Sequence, residues 1–266
     1  MSAIPGEVDT DQQPPMTIPL RHFLVGVALL VAAGVVAVLD AAGALAGTAG
    51  FAHVHLLVAG WVCVTIMGAM TQFVPVWSNA ALYSQRLATA ELWLVATGVG
   101  GMAVAFATGA LGWVHALGGL AVLGFWAFVY NMGRTLAAAR PWDVTERHFA
   151  LALACFTVVP ALGFALAMDY STAVFAGTGL TRPGVVGAHA TLAVFGAVLT
   201  TVLGALYQLA TMFTQTELRG IGVYLARIEA VGYPAGVLAL AAGRLVGSAP
   251  LARVGGLVLV VSLAGF

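Results

Sequence analysis

His53-Val-His55-Leu-Leu-Val-Ala-Gly60-Trp-Val-Cys63-Val-Thr65-Ile-Met67-Gly68-Ala69-Met70-Thr71-Gln72 decides the reading of this chain, because it returns 136 residues later. The second copy runs His189-Ala-Thr191-Leu-Ala-Val-Phe195-Gly196, then Thr201-Val-Leu-Gly204-Ala205-Leu-Tyr207-Gln208. Histidine, glycine, threonine, glycine, alanine and glutamine keep their spacing in both. Each stretch is apolar and long enough to cross a bilayer, so each reads as a membrane helix that opens with imidazole. Imidazole in hydrocarbon is costly, and a repeated intramembrane histidine points to a functional site.

The rest of the sequence agrees with that environment. The chain is 61% hydrophobic and 8% charged, with a mean hydropathy of +1.02, values that exclude a soluble domain of 266 residues. Eight apolar segments of spanning length fit, near 22–40, 52–77, 89–109, 113–133, 148–168, 186–212, 224–243 and 252–266. Glycine, at 33 residues, suits close helix packing in lipid. Every basic residue is arginine and no basic run occurs, so a nucleic-acid partner is excluded. Cys63 and Cys155 fall within apolar segments and read as small packing residues. Met67 and Met70 read as core filler.

Residues 1–20 carry Glu7, Asp9 and Asp11 without a preceding basic residue. They read as a disordered tail, not a signal peptide. With eight spans, Arg21, Arg86, Arg134, Arg140, Arg147, Arg219 and Arg227 fall on one side. Arg182, Arg244 and Arg253 fall on the other. The positive-inside rule then places the N-terminus in the cytoplasm of a multi-pass cell-membrane protein. His53, His55, His115 and His189 lie toward the outer leaflet. The last segment stops at Phe266 in mid-helix, where the earlier half continues beyond Phe128. A truncated chain and a short natural ending both fit.

The repetition is wider than the histidine helices. Arg21-His22-Phe23 matches Arg147-His148-Phe149. Glu91 with Gly98-Val99 matches Glu229 with Gly236-Val237, and Gly118-Gly119-Leu120 matches Gly255-Gly256-Leu257. The expected fold is an all-α membrane protein with eight transmembrane helices in two tandem, parallel four-helix repeats, at 21–135 and 147–266. A cytoplasmic linker at 136–146 joins them.

His53 and Gly60 share a helix face, as do His189 and Gly196. A glycine below a histidine admits a flat macrocycle or a neighbouring helix. Thr65 and Thr201 can bond helix carbonyls or a buried acceptor. Gln72 and Gln208 fall where a polar side chain meets the cytoplasmic surface. A bound metal centre, most simply haem, explains duplicated histidines, since iron takes two axial imidazoles. His55 and His189 are the expected axial pair, with His53 directed to a second pocket. The second imidazole nitrogen needs a partner; Arg182 and outer-loop carbonyls are candidates, and Arg182 also suits a propionate. His22 and His148 read as interfacial residues beside arginine, and His115 likewise. Glu91 and Glu229 read as interfacial ion pairs with Arg86 and Arg227, in preference to a proton path.

The segment His53–Ser78 resembles the haem-binding helix of haem-copper oxidase subunit I. It shares H-x-H, then Ile66-Met67-Gly68, Pro75 and Ser78 across 26 residues. It is also similar to the NnrS-like haem and copper membrane proteins, which open a helix with H-x-H. The first resemblance implies that His53 faces a high-spin haem and His55 a low-spin haem, with His189 opposite His55. It implies a ring of three four-helix arcs, one of which is absent here. A third unit beyond Phe266, another subunit or a homo-oligomer would complete it. The family's copper site needs three further histidines. The segment 224–243 has none, and helix six lacks the family's proline-glutamate continuation. A complete terminal oxidase is therefore not expected.

Three functions follow. The first is a haem b protein that transfers electrons to a redox partner on the outer face, or senses a diatomic gas. The second is a copper- or metal-handling permease using His53, His55, His115 and His189 directly. The third is a ligand-free assembly subunit of a respiratory complex.

Overall fold

The computed structural model describes residues 13–215 and 219–266. It is built of helices α1 (Thr17–Ala41), α2 (Ala49–Trp77), α3 (Gln85–Thr108), α4 (Leu111–Ala138), α5 (Val144–Thr172), α6 (Arg182–Thr214), α7 (Ile221–Leu245) and α8 (Ala249–Ala264), with no strand among the described residues. Seven of these are long and apolar enough to cross a membrane. The eighth expected span, α8, has 16 residues and falls short of the roughly 20 that a bilayer requires. Most of the expected tail lies outside the described residues. Its last part does not remain a tail, because α1 already begins at Thr17. Thr17, Ile18, Pro19 and Leu20 supply a first turn with proline inside it, where a missing N–H costs nothing.

Local chemistry sets the other helix ends. Ser84 caps α3, its hydroxyl accepting from Leu87 N at 3.2 Å, and Gly109 ends that helix in the left-handed region. Thr181 caps α6 by accepting from Gly184 N. Asp143 and Glu146 form a reciprocal box at the start of α5. Asp143 Oδ1 accepts from Thr145 N and Glu146 N, while Glu146 Oε2 accepts from Asp143 N at 3.0 Å. This box turns the chain after Arg140-Pro141-Trp142, within the expected linker.

The α-helical pattern of α2 gives way to a π-helix over Leu56–Val62, and that of α6 over Leu192–Leu199. Both begin 136 residues apart, at matching places in the two histidine helices. Such segments are rare, and each adds a residue to the turn and shifts the helix register. In α6 the widened turn frees the Phe195 carbonyl. It accepts from Thr200 Oγ1 at 3.0 Å and from the Tyr233 hydroxyl.

Two compact units result. One holds residues 13–140 with Gly163–Val174, and the other holds 141–162 with 175–266. The boundary at Arg140 falls inside the expected 136–146 linker, but the far end of α5 clusters with the first unit.

Within each unit, glycine sets the helix approach. A Cβ on Gly68 would lie 2.5 Å from His22 Cβ, and one on Gly204 would lie 2.7 Å from His148 Cβ. Gly98 abuts the backbone of Ala121 and Leu117 in α4; Gly236 abuts Leu259 and Gly255 in α8. These contacts align α4 with α8 at a spacing of 138, one residue off the Gly-Gly-Leu match. Backbone contact, not the glycine string, fixes that register.

Gly98 and Gly100 give a matched test of this packing. Nothing lies within 4 Å of a Cβ added at Gly100. Gly98→Ala should cost about 1–3 kcal/mol by overpacking, visible as a lower Tm of the detergent-solubilised protein. Gly100→Ala should leave Tm unchanged or slightly raised.

Candidate functional site

In the first unit, α2 sends its two histidines to different neighbours, as residues two apart on a helix must. His53 Nδ1 donates to the Ala33 carbonyl of α1 at 3.0 Å. His55 Nδ1 donates to Phe51 O, one turn back on its own helix, at 2.7 Å. The His55 ring lies against Phe106 of α3, with centroids 5.6 Å apart and a tilt of 31°. Phe51 and Tyr170 close on the same ring, at 5.6 Å and 6.4 Å. Thr48 Oγ1 donates to the Phe106 carbonyl and ties the start of α2 to the end of α3.

In the second unit, His189 Nδ1 donates to the Val159 carbonyl of α5 at 3.0 Å. Ala33 and Val159 stand 126 residues apart, as do His22 and His148. His189 is therefore the structural counterpart of His53. The place of His55 is taken by Thr191, whose hydroxyl donates to Gly187 O and accepts from Arg244 Nη1 at 2.9 Å. Arg244 in turn stands where the first unit has Phe106, at the 138-residue spacing of the helix pair.

The orienting partners of the three histidines are thus helix carbonyls, and not Arg182 or outer-loop carbonyls. In each case a carbonyl at Nδ1 fixes the tautomer with the proton on Nδ1, and Nε2 carries the lone pair that a metal needs. His53 and His55 belong to the first unit, and His189 to the second.

The glycines adopt the neighbouring-helix role rather than the macrocycle role. A Cβ on Gly60 would meet the Leu29 side chain at 3.1 Å, and one on Gly196 would meet Cys155 Sγ at 2.7 Å. The cofactor role expected of Gly60 and Gly196 is not realised, because side chains of α1 and α5 already occupy that space. Arg182 sits in the first turn of α6, just past the Thr181 cap. His115 is half-buried at the start of α4. Cys63 and Cys155 are free and buried, as packing residues are; Met67 and Met70 are buried as well. Among the described residues, no three His, Cys, Asp or Glu side chains are grouped to hold a metal ion.

The other end of each unit carries a polar group that the sequence reading placed at the surface. His22, His148, Glu91 and Glu229 are all buried, with exposures of 1%, 4%, 0% and 1%. The reason is the packing of His22 on Gly68 and His148 on Gly204, which draws both imidazoles inward. Nor do the glutamates pair with nearby arginines. Glu229 Oε1 meets His148 Nε2 at 3.1 Å, and Glu229 Oε2 accepts from the Tyr207 hydroxyl at 3.0 Å. His148 Nδ1 is held by Val144 O at 2.7 Å. A groove of about 440 Å³ opens beside this trio, lined by Arg147, His148, Arg227 and Pro234 among others. Arg86 and Arg227 enter no ion pair among the described residues.

The first unit keeps the histidine and the glutamate but not their contacts. His22 Nδ1 donates to Ile18 O at 2.9 Å. His22 Nε2, both Glu91 carboxyl oxygens and Gln72 Oε1 are buried without a hydrogen-bond partner among the described residues. Gln72 therefore does not reach the surface as its place near the helix end implied. Thr71 stands where the second unit has Tyr207, and its hydroxyl turns back to Gly68 O at 2.8 Å.

Compared with known proteins, the chain matches no family model and no curated protein. Its function is therefore argued from these side chains alone.

The Tyr207–Glu229 bond sets an expectation for stability. Tyr207→Phe leaves a buried carboxyl oxygen unsatisfied and should cost about 1–3 kcal/mol, read as a drop in Tm. Thr71→Val, which removes only a bond to its own helix, should cost less than half as much.

Proposed function

We propose that the chain is a haem b-binding integral membrane protein, with His55 and His189 as axial ligands and His53 turned to a second pocket. In this reading two tandem copies of a four-helix plan form the protein. Its N-terminus lies in the cytoplasm and its haem lies near the outer leaflet of the cell membrane. The observation that carries it is the Nδ1-to-carbonyl bond made by all three histidines. Each bond holds an imidazole in the tautomer in which Nε2 is the ligating nitrogen. The aromatic wall of Phe51, Phe106 and Tyr170 beside His55 suits a flat, apolar ring. A π segment next to each histidine turn is a second feature of the kind found at functional sites.

Haem supplies one-electron exchange, or a coordination position for a diatomic gas. The protein's part is to aim the imidazoles, exclude water with Phe106 and Leu29, and set the local polarity. Electron transfer to a partner on the outer face, or gas sensing, follows from the absence of the family's copper-binding histidines in the sequence. Oxygen reduction does not. Lipid, and a further subunit or copy completing the helix ring, are the partners of this reading.

Direct copper or other metal handling is less well supported. Such a site needs several protein ligands around one ion, whereas porphyrin brings four of its own. Among the described residues no such group of three exists.

Expression with haem supplied, followed by a reduced-minus-oxidised spectrum, tests the proposal. The purified protein should show a b-type spectrum. His189→Ala and His55→Ala should each shift the Soret band or lose haem, and Gly60→Ala should keep it. A colourless protein, or an unchanged Soret band in His189→Ala, overturns the assignment.

A further inference from the structure

We propose that His22, Gln72 and Glu91 form a hydrated proton-binding site within the membrane-spanning part of the first unit. The second unit carries the same site in locked form. The proposal does not rest on the haem reading.

The argument starts from four buried atoms. His22 Nε2, Gln72 Oε1 and both oxygens of Glu91 lack a protein partner. The residues lie on α1, α2 and α3, which pack against one another. His22 is in the second turn of α1, Glu91 in the second turn of α3, and Gln72 in the second turn from the end of α2. Antiparallel neighbours with those positions stand at one depth. Native proteins rarely leave such atoms bare, and a buried orphan calls for an explanation.

The chemistry of the four atoms narrows the ligand. His22 Nδ1 donates to Ile18 O, so Nε2 is an acceptor. An ionised carboxylate and the Gln72 carbonyl oxygen are acceptors too. Acceptors cannot satisfy one another; they require donors. Asn131 faces Glu91 from α4, but its amide is already committed. Its Oδ1 accepts from Ser84 N and its Nδ2 donates to Ser84 O, both at 3.0 Å. Arg21, Arg86 and Arg134, the other ionisable groups at this end, are exposed. The donors that remain are a proton and water.

The second unit shows what a closed version looks like. There the neutral His148 and Glu229 face each other at 3.1 Å, which demands one shared proton, and the Tyr207 hydroxyl fills the remaining carboxyl oxygen. In the first unit Thr71 replaces Tyr207. Threonine is smaller than tyrosine by a phenol ring, a volume larger than the ~30 Å³ that one water occupies. Water at the place of the Tyr207 hydroxyl donates to Glu91 and connects the site to the helix ends. The first carboxyl exchanges its proton with solvent; the second holds its own.

Infrared spectroscopy of the full chain in lipid vesicles reads both carboxyls without any haem. In wild type, a protonated-carboxyl C=O band should vanish in Glu91→Gln and shift rapidly on transfer to D2O. Thr71→Tyr should slow that shift by about tenfold, the factor that one satisfied buried hydrogen bond contributes. The reverse change, Tyr207→Thr, should speed the shift of the Glu229 band to a similar extent, and it keeps the test open if Thr71→Tyr does not fold. Loss of no exchangeable band in Glu91→Gln overturns the proposal. So do equal exchange rates of the two carboxyls in wild type, or rates that neither exchange of Thr and Tyr alters.

Discussion

An imidazole N–H resting on a backbone carbonyl is the interaction on which the polar architecture of this protein depends. His22, His53, His55, His148 and His189 each use Nδ1 in this way. Three of the carbonyls lie one turn back on the same helix, and two lie on the preceding helix of the same unit. In hydrocarbon no water satisfies a ring nitrogen, so the helix must do it. The bond also decides chemistry, because it assigns donor and acceptor roles to the two nitrogens. At one end of the helices the acceptor nitrogen suits iron. At the other it faces a carboxyl in the second unit and has no protein donor in the first.

The spans were readable because the composition leaves few alternatives. All eight helices lie where hydropathy placed them, most extended by a few residues at each end. Caps such as Ser84, Asp143 and Thr181 begin helices before the apolar run does. The equivalence of His53 and His189 was also readable, since it rests on glycine spacing that packing preserves. Gly68 and Gly204 mark the crossing of two helices.

Other features were hidden for physical reasons. Glu229 lies two residues from Arg227, and sequence proximity suggested a pair. Residues two apart point to opposite faces of a helix, and the true partners come from α5 and α6. His22 and His148 were misplaced at the surface because arginine precedes them; the next residue on a helix faces elsewhere. Gly60 and Gly196 invite anything flat or close, and only the packed structure shows Leu29 and Cys155 there. The π segments have no proline or glycine pair to announce them. Their sequences, Leu56–Val62 and Leu192–Leu199, read as ordinary apolar helix.

Those widened turns have a mechanical consequence. One extra residue advances the chain by about 100° around the helix axis. The histidine-bearing turn is therefore clocked independently of the half of the helix that carries Gly68 or Gly204. The direction in which an imidazole points can drift over generations without disturbing the close crossing below it. Two halves with the same lower gearing have in this way come to present different groups above it: a histidine against phenylalanine in one, and a threonine against arginine in the other.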